Sequence, residues 1–478
     1  MRFFSSRDKS QAFSAKEAIF KGPADDGGLF VPEHIPTLDL NEYADCSYVE
    51  LAAEVLHLFF DDFSKETLLD WAKKAYGTFS GTEPVDYFDL DGMTVAELFH
   101  GPTAAFKDFA LQMLPYLMAA SAEGRKVRIL TATSGDTGKA ALAGFQDVEN
   151  TDIFVFYPAH GVSTIQRRQM STQRGNNVYV YGIEGNFDDA QRTVKEIFRD
   201  EALREASRRS GIEFSSANSI NIGRLVPQVV YYLYSYLELV RRNTIAMGDA
   251  IDICVPTGNF GNILAAMYAR EMGLPVGRFI CASNKNHVLT DFISTGVYDK
   301  NRDFYKTTSP SMDILVASNI ERYLHLVLKR DYKVREKMES LNVTGRFDIP
   351  MDAIHRSKLV GYWSTDAEGE ARIKEVFDRF GYLMDPHTAV AYDGAKKHGS
   401  ANHVLVMATA SPYKFPETVA DALGIQGEGD EELLKKIQEA YGVEVPKPLT
   451  EVFDLPERFT ESITVDEMKE VVKEGFHD

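Results

Sequence analysis

Val127-Arg-Ile-Leu-Thr-Ala-Thr-Ser-Gly-Asp-Thr-Gly138 reads as a strand that runs into a glycine turn and then a helix at 139–145. β-Branched and apolar residues fill its first half, and small polar residues with two glycines follow. The pattern recurs in Ile251-Asp-Ile-Cys-Val-Pro256, which runs into Thr257-Gly-Asn-Phe-Gly-Asn262 and a helix at 263–272. Further strands are expected at 153–157, 178–183, 279–282 and 403–409, and helices at 163–174, 188–209 and 224–242. Strands alternating with helices imply an α/β protein with a mainly parallel sheet covered on both faces.

Outside that core, residues 1–92 read as a separate, mainly helical unit. Ser14 caps a short helix, Asp26-Gly-Gly-Leu-Phe-Val-Pro32 turns into an extended segment, and helices follow at 48–60 and 64–76. Residues 284–345 read as helices and loops around the sheet, and the tail from about 427 is acidic and helical in pattern.

The formal net charge of −19 argues against nucleic acid and anionic membranes as partners. An anionic ligand would therefore need a local basic or N–H-lined site. The three cysteines, Cys46, Cys254 and Cys281, read as reduced thiols of a cytoplasmic protein, and no Cys/His spacing suggests a metal. No secretory signal is expected at the N-terminus. The run 225–240 is too short and too interrupted to span a bilayer.

Both glycine turns place N–H groups at a helix N-terminus, where an anion is favoured. Neither is a P-loop or a dinucleotide fingerprint. A third stretch, His100-Gly-Pro-Thr-Ala-Ala-Phe-Lys-Asp-Phe-Ala110, carries Lys107 at the head of an apolar helix expected over 105–120. Leu111, Leu114 and Met118 follow it along one face. Such a lysine can simply snorkel. Desolvated, it loses proton affinity and becomes able to form a Schiff base. One Schiff-base lysine and two anion turns together suit pyridoxal phosphate carrying an amino acid: lysine for the aldehyde, one turn for the phosphate, the other for the substrate carboxylate. Arg224 could add a contact to a second phosphate.

These three stretches resemble the signature segments of the threonine synthases, pyridoxal-phosphate enzymes of fold type II (tryptophan synthase β-like). The resemblance extends to 26–32, to Ser216-Ala-Asn-Ser-Ile-Asn-Ile-Gly-Arg-Leu225 and to Ala408-Thr-Ala-Ser-Pro-Tyr-Lys-Phe415. It matches the branch with a long N-terminal domain. It implies two doubly wound αβα domains plus a mainly helical N-terminal domain. The implied division is 1–92 for the N-terminal domain, 93–127 with 245–425 for the large cofactor domain, 128–244 for the small domain, and 426–478 for a C-terminal helical tail.

By the same resemblance Lys107 would hold pyridoxal 5′-phosphate covalently. Gly258, Asn259, Phe260, Gly261 and Asn262 would cradle its phosphate, and Thr409 would face the pyridine nitrogen. Thr133, Ser134 and Gly135 would hold the substrate carboxylate; Thr137, Ser219 and Arg224 would meet the substrate phosphate. Asp136 stands where many fold type II relatives carry an asparagine near the cofactor's 3′-oxygen. There an ionised carboxylate repels a phenolate unless it is protonated or turned away. The implied reaction turns O-phospho-L-homoserine and water into L-threonine and phosphate, in a monomer. Two rival readings are a lyase or dehydratase of the same fold that releases 2-oxobutyrate, and a non-catalytic anion-binding protein. His100 reads as shaping the turn before Pro102, and the scattered His160, His287, His325, His387 and His403 mostly as loop or helix-end residues without metal-ligand spacing.

Overall fold

The computed structural model describes residues 1–133, 135–160 and 162–476. Two sheets organise it. The larger has six strands in the order Leu359–Trp363, Val276–Ser283, Ile251–Pro256, His403–Ala408, Met93–Glu97 and Asp86–Leu90. The first five are parallel; the last pairs antiparallel. The smaller sheet is wholly parallel, in the order Ser462–Ile463, Val178–Ile183, Thr151–Pro158, Lys126–Ala132 and Ile212–Ser215. Its central strands are buried along their length, as expected for sheets covered by helices on both faces.

In each sheet the strand carrying a glycine turn stands where strand order reverses. Lys126–Ala132 lies between the next strand in the chain and the later Ile212–Ser215. Ile251–Pro256 lies between Val276–Ser283 and the much later His403–Ala408. Crevices beyond the carboxyl ends of such strands are where open α/β sheets bind ligands. Both turns therefore face binding positions.

Several expectations need correction. No continuous helix covers 105–120: Asp108–Leu111 is one short helix and Leu114–Ala122 another. Pro115 lacks the N–H and its ring would crowd the carbonyl of Leu111, which breaks the run. Lys107 is the residue before the first of these helices, and Leu111, Leu114 and Met118 are buried as a packing stripe. The helix expected over 188–209 is two, Phe187–Arg199 and Glu201–Arg209, because Asp200 accepts from the Leu203 N–H at 3.1 Å and starts a new one. Arg224 lies in a short turn, Ile222–Leu225, ahead of Pro227–Arg241.

Sheet membership also differs from the expected division. The hairpin Asp86–Leu90 with Met93–Glu97 puts residues assigned to the N-terminal unit into the large sheet. The expected limit at 127 cuts through Lys126–Ala132. The tail contributes Ser462–Ile463 as an edge strand of the small sheet, so it is not helical throughout.

The N-terminal unit pairs Phe3–Ser5 with Phe30–Pro32 and packs helices Ala15–Lys21, Tyr48–Phe59 and Lys65–Tyr76. Tyr48 and Tyr76 meet Phe109 in one aromatic cluster with Tyr234 and Tyr231, so this unit shares its core with the Lys107 segment. The cysteines are free thiols, with Cys254 and Cys281 buried in adjacent strands. Among the described residues no helix is long and apolar enough to cross a membrane.

Candidate active site

Beyond the carboxyl ends of the switch strands lies a cavity of about 110 Å³. Lys107, Thr133, Thr137, Ser219, Arg224, Gly258, Asn259, Phe260, Gly261, Asn262 and Thr409 all line it. It adjoins a larger cleft of about 1090 Å³, with which it shares Gln191, Lys195, Phe198, Ile220 and Ser318. Three expected residues stand otherwise. Gly135 and Asp136 lie behind the wall, and Ser134 falls outside the described residues. His100 is also away from the lining; its Nε2 is 2.7 Å from Glu97 on the hairpin, where Asp86 completes a small surface cluster.

Lys107 is fixed by its neighbours. The Phe106 N–H donates to the Thr409 carbonyl at 2.9 Å, and Ala105 bridges Ala410, tying the segment to the end of His403–Ala408. Asp108 accepts from the Thr103 N–H and hydroxyl at 2.8 and 2.7 Å, which closes the turn before the lysine. Burial pushes the Asp108 carboxyl up to about 6. Lys107 Nζ lies 3.6 Å from Asp136 Oδ2. Burial lowers the proton affinity of Lys107 against the pull of Asp136, with Lys414 and Arg224 adding repulsion. That is the condition an amine needs to attack a carbonyl.

Asp136 is ionised. Burial alone would raise its carboxyl, but Lys414 at 2.8 Å and Lys107 hold it well below the usual range. Gln166 Nε2 donates to it at 2.9 Å and the Ser311 hydroxyl at 3.4 Å. The carboxylate thus faces two lysines rather than standing unpaired.

The Thr133 hydroxyl accepts from the N–H groups of Gly135 and Gly138, both at 2.9 Å, so it caps the turn of helix Asp136–Phe145. A side chain at Gly135 would collide with Gln166 at 2.6 Å, and its φ of 138° also requires glycine.

The second turn is built for a closer approach. Phe260 takes a left-handed φ of 63° ahead of helix Gly261–Met272, which aims the unpaired N–H groups of its first turn at the cavity. A Cβ at Gly258 would stand 2.4 Å from the Ser311 carbonyl oxygen. The side chain of Asn259 accepts from the Ser318 hydroxyl at 3.0 Å and its carbonyl from the Asn319 N–H at 3.0 Å. Asn262 accepts from both Tyr231 and Tyr232 hydroxyls, while its Nδ2 is buried with no partner.

Arg224 is buried and has no carboxylate partner among the described residues. Its Nη1 donates to the Ala217 carbonyl at 2.6 Å, its Nε has no acceptor, and burial pushes it down to about 10. A buried cation left unpaired is costly unless an anion completes it. The free Asn262 amide and the unpaired N–H groups of the turn suit a phosphate, and the Arg224 guanidinium suits an anion near Ser219.

Family models match in three segments: threonine synthase N terminus over residues 2–76, pyridoxal-phosphate dependent enzyme over 95–410, and threonine synthase C-terminal over 388–472. The chain belongs to the threonine synthase family. The crystal structure of PLP-bound threonine synthase from Brucella melitensis superposes with a TM-score of 0.88 at 35% identity, over 100% of both chains. Threonine synthase from Pseudomonas aeruginosa is 38% identical over 88% of this chain and 90% of its own. Human threonine synthase-like 1 is 40% identical over 88% of this chain, but the chain spans only 60% of that relative's length. Fold type II and pyridoxal phosphate as cofactor come with this family of pyridoxal-phosphate enzymes.

Three features of this site are not marked in the sequence. Lys414 stood inside a quoted motif without a role. His387, at the start of helix Pro386–His398, lines the cavity; its Nε2 accepts from the Ser311 N–H at 3.1 Å and its Nδ1 lies 2.6 Å from Asp385, which fixes the tautomer. Arg322 reaches Ser219 from behind the wall. Each depends on contacts between distant parts of the chain.

Proposed function

We propose that this protein converts O-phospho-L-homoserine and water into L-threonine and phosphate, as a monomer in the cytoplasm. The observation that carries the reading is Arg224: a buried guanidinium without a carboxylate among the described residues, lining the same cavity as Ser219 and the glycine turn. One small cavity thus offers places for two phosphates around one amine. Free buried thiols and family resemblance support the location and the monomer.

Pyridoxal phosphate, when bound, supplies the electron sink that makes the Cα and Cβ protons of an amino acid removable. Lys107 holds it, the N–H groups from Gly258 to Asn262 take its phosphate, and the Thr409 hydroxyl meets its ring nitrogen. The turn containing Thr133, Ser134 and Gly135 is assigned the substrate carboxylate; the Thr133 hydroxyl, which accepts from the Gly135 and Gly138 N–H groups, holds the shape of that turn. With substrate bound, the Lys107 amine would take the proton from Cα and move protons between Cα and Cβ. Arg224, with Ser219 and Thr137, balances the charge that builds on the departing γ-phosphate. Water then adds at Cβ, and the small volume of the cavity limits water before that step.

The test is to supply O-phospho-L-homoserine to the cofactor-loaded protein and quantify threonine, phosphate and 2-oxobutyrate chromatographically. Threonine equal to phosphate is expected. Phosphate release with 2-oxobutyrate in place of threonine would assign the protein to the lyase reading instead.

A further inference from the structure

Asp136 lies between two lysines. Lys414 Nζ is 2.8 Å from its Oδ1 and Lys107 Nζ is 3.6 Å from its Oδ2. Lys414 is fully buried, and its other hydrogen bond goes to the Thr103 carbonyl at 2.9 Å, on the turn that leads into Lys107. We propose that Lys414 is a positioning residue for the Lys107 amine: it neutralises Asp136, so that the carboxylate orients Lys107 without locking it as an ammonium. The inference rests on Lys107 being the amine that takes the cofactor.

A carboxylate this near an amine favours the charged form, the opposite of what a nucleophile needs. Paired with Lys414, Asp136 pulls less strongly on the Lys107 proton, yet keeps an oxygen facing it. The pair then does what a neutral amide would do at the same place. The remaining charged neighbours do not replace Lys414. Asp108 faces it from the Lys107 segment but is taken up by Thr103. Lys139 faces it from helix Asp136–Phe145 and donates to Gln173 at 2.6 Å. Arg224 faces Lys107 from across the cavity and adds only repulsion. Gln166 and Ser311 donate to Asp136 without charge. A purely structural lysine would affect stability when replaced, and leave the proton affinity of Lys107 alone.

The experiment is competitive acetylation of the full-length, cofactor-free protein by trace acetic anhydride across pH. Lys107 labelling is read by mass spectrometry, with exposed lysines of the same digest as internal standard. It reads the amine itself and stands whether or not threonine is the product. Lys414→Met should raise the Lys107 midpoint by about one unit or more, cutting its labelling at neutral pH about tenfold. Asp136→Asn, which leaves Lys414 uncompensated, should lower the midpoint below that of the parent. A midpoint that stays within about 0.3 unit or falls in Lys414→Met overturns the proposal. If Lys414→Met does not fold, Asp136→Asn decides alone, and an unmoved or raised midpoint there overturns it.

Discussion

Arg322 donates from Nε to the carbonyl of Phe30 at 2.9 Å, joining the strand Phe30–Pro32 of the N-terminal unit to the wall of the cavity. Its terminal nitrogens reach the carbonyls of Ser219 and Ile220 at 3.2 and 2.6 Å and the Asn319 side chain at 2.7 Å. The N-terminal unit therefore shapes the site without lining it. Arg322→Met leaves three carbonyls, that of Phe30 buried, without this donor and frees the Ser219 loop. It should cost about 3 kcal/mol of stability in urea unfolding. In the folded fraction it should raise KM for the phosphorylated substrate more than it lowers kcat.

Gly258→Ala tests the phosphate turn. Its Cβ would meet a backbone oxygen, Ser311, which cannot rotate away. The turn must shift, and with it the N–H groups at the start of helix Gly261–Met272. Cofactor affinity, measured by fluorescence titration of the cofactor-free protein, should fall at least about tenfold, roughly 1.4 kcal/mol.

Arg224→Met separates function from stability. An unpaired buried cation weakens the fold, so its removal should leave the urea midpoint unchanged or raise it. Its loss as a phosphate partner should reduce kcat/KM about 100-fold or more, in line with losing one member of a buried charge pair. The visible absorption of the bound cofactor should be unchanged, because Arg224 is assigned to the substrate phosphate.

His325, on the Arg322 helix Ile320–Leu328, predicts an acid limb of stability. Burial, helped by the charge of Lys9, lowers its imidazole to about 4 from an ordinary 6.5, and its Nε2 has no partner. Between those values the unfolded chain takes up a proton that the folded chain refuses. The folded state therefore keeps its full stability above about pH 6.5 and loses up to about 3 kcal/mol from this group as pH falls to 4. Urea unfolding at pH 7.5 and 5 should show that loss, and His325→Leu should flatten it.

Much of the site was legible because its turns are local. The strands at 127 and 251 announce themselves by apolar runs, and their glycine turns follow within five residues, so strand, turn and helix could be read together. Lys107 was legible for the same reason. The helix around it was overdrawn because the apolar stripe outweighed Pro115. Asp91-Gly92 between Leu90 and Met93 is a two-residue hairpin signal, and reading it would have moved residues 86–92 into the large sheet. Lys414, Arg322 and His387 were not legible as site residues. Their partners stand 278, 292 and 76 residues away, at Asp136, Phe30 and Ser311. Burial of a charge is a property of the folded chain, and nothing near these residues in sequence marks it.

The central claim is that the γ-phosphate leaves by C–O cleavage and that water then adds at Cβ. The most direct measurement runs the reaction in ¹⁸O-water and reads both products by mass spectrometry. Threonine should carry the label in its hydroxyl oxygen, and phosphate should be free of label. Labelled phosphate with unlabelled amino acid would mean hydrolysis at phosphorus, and would contradict the central claim.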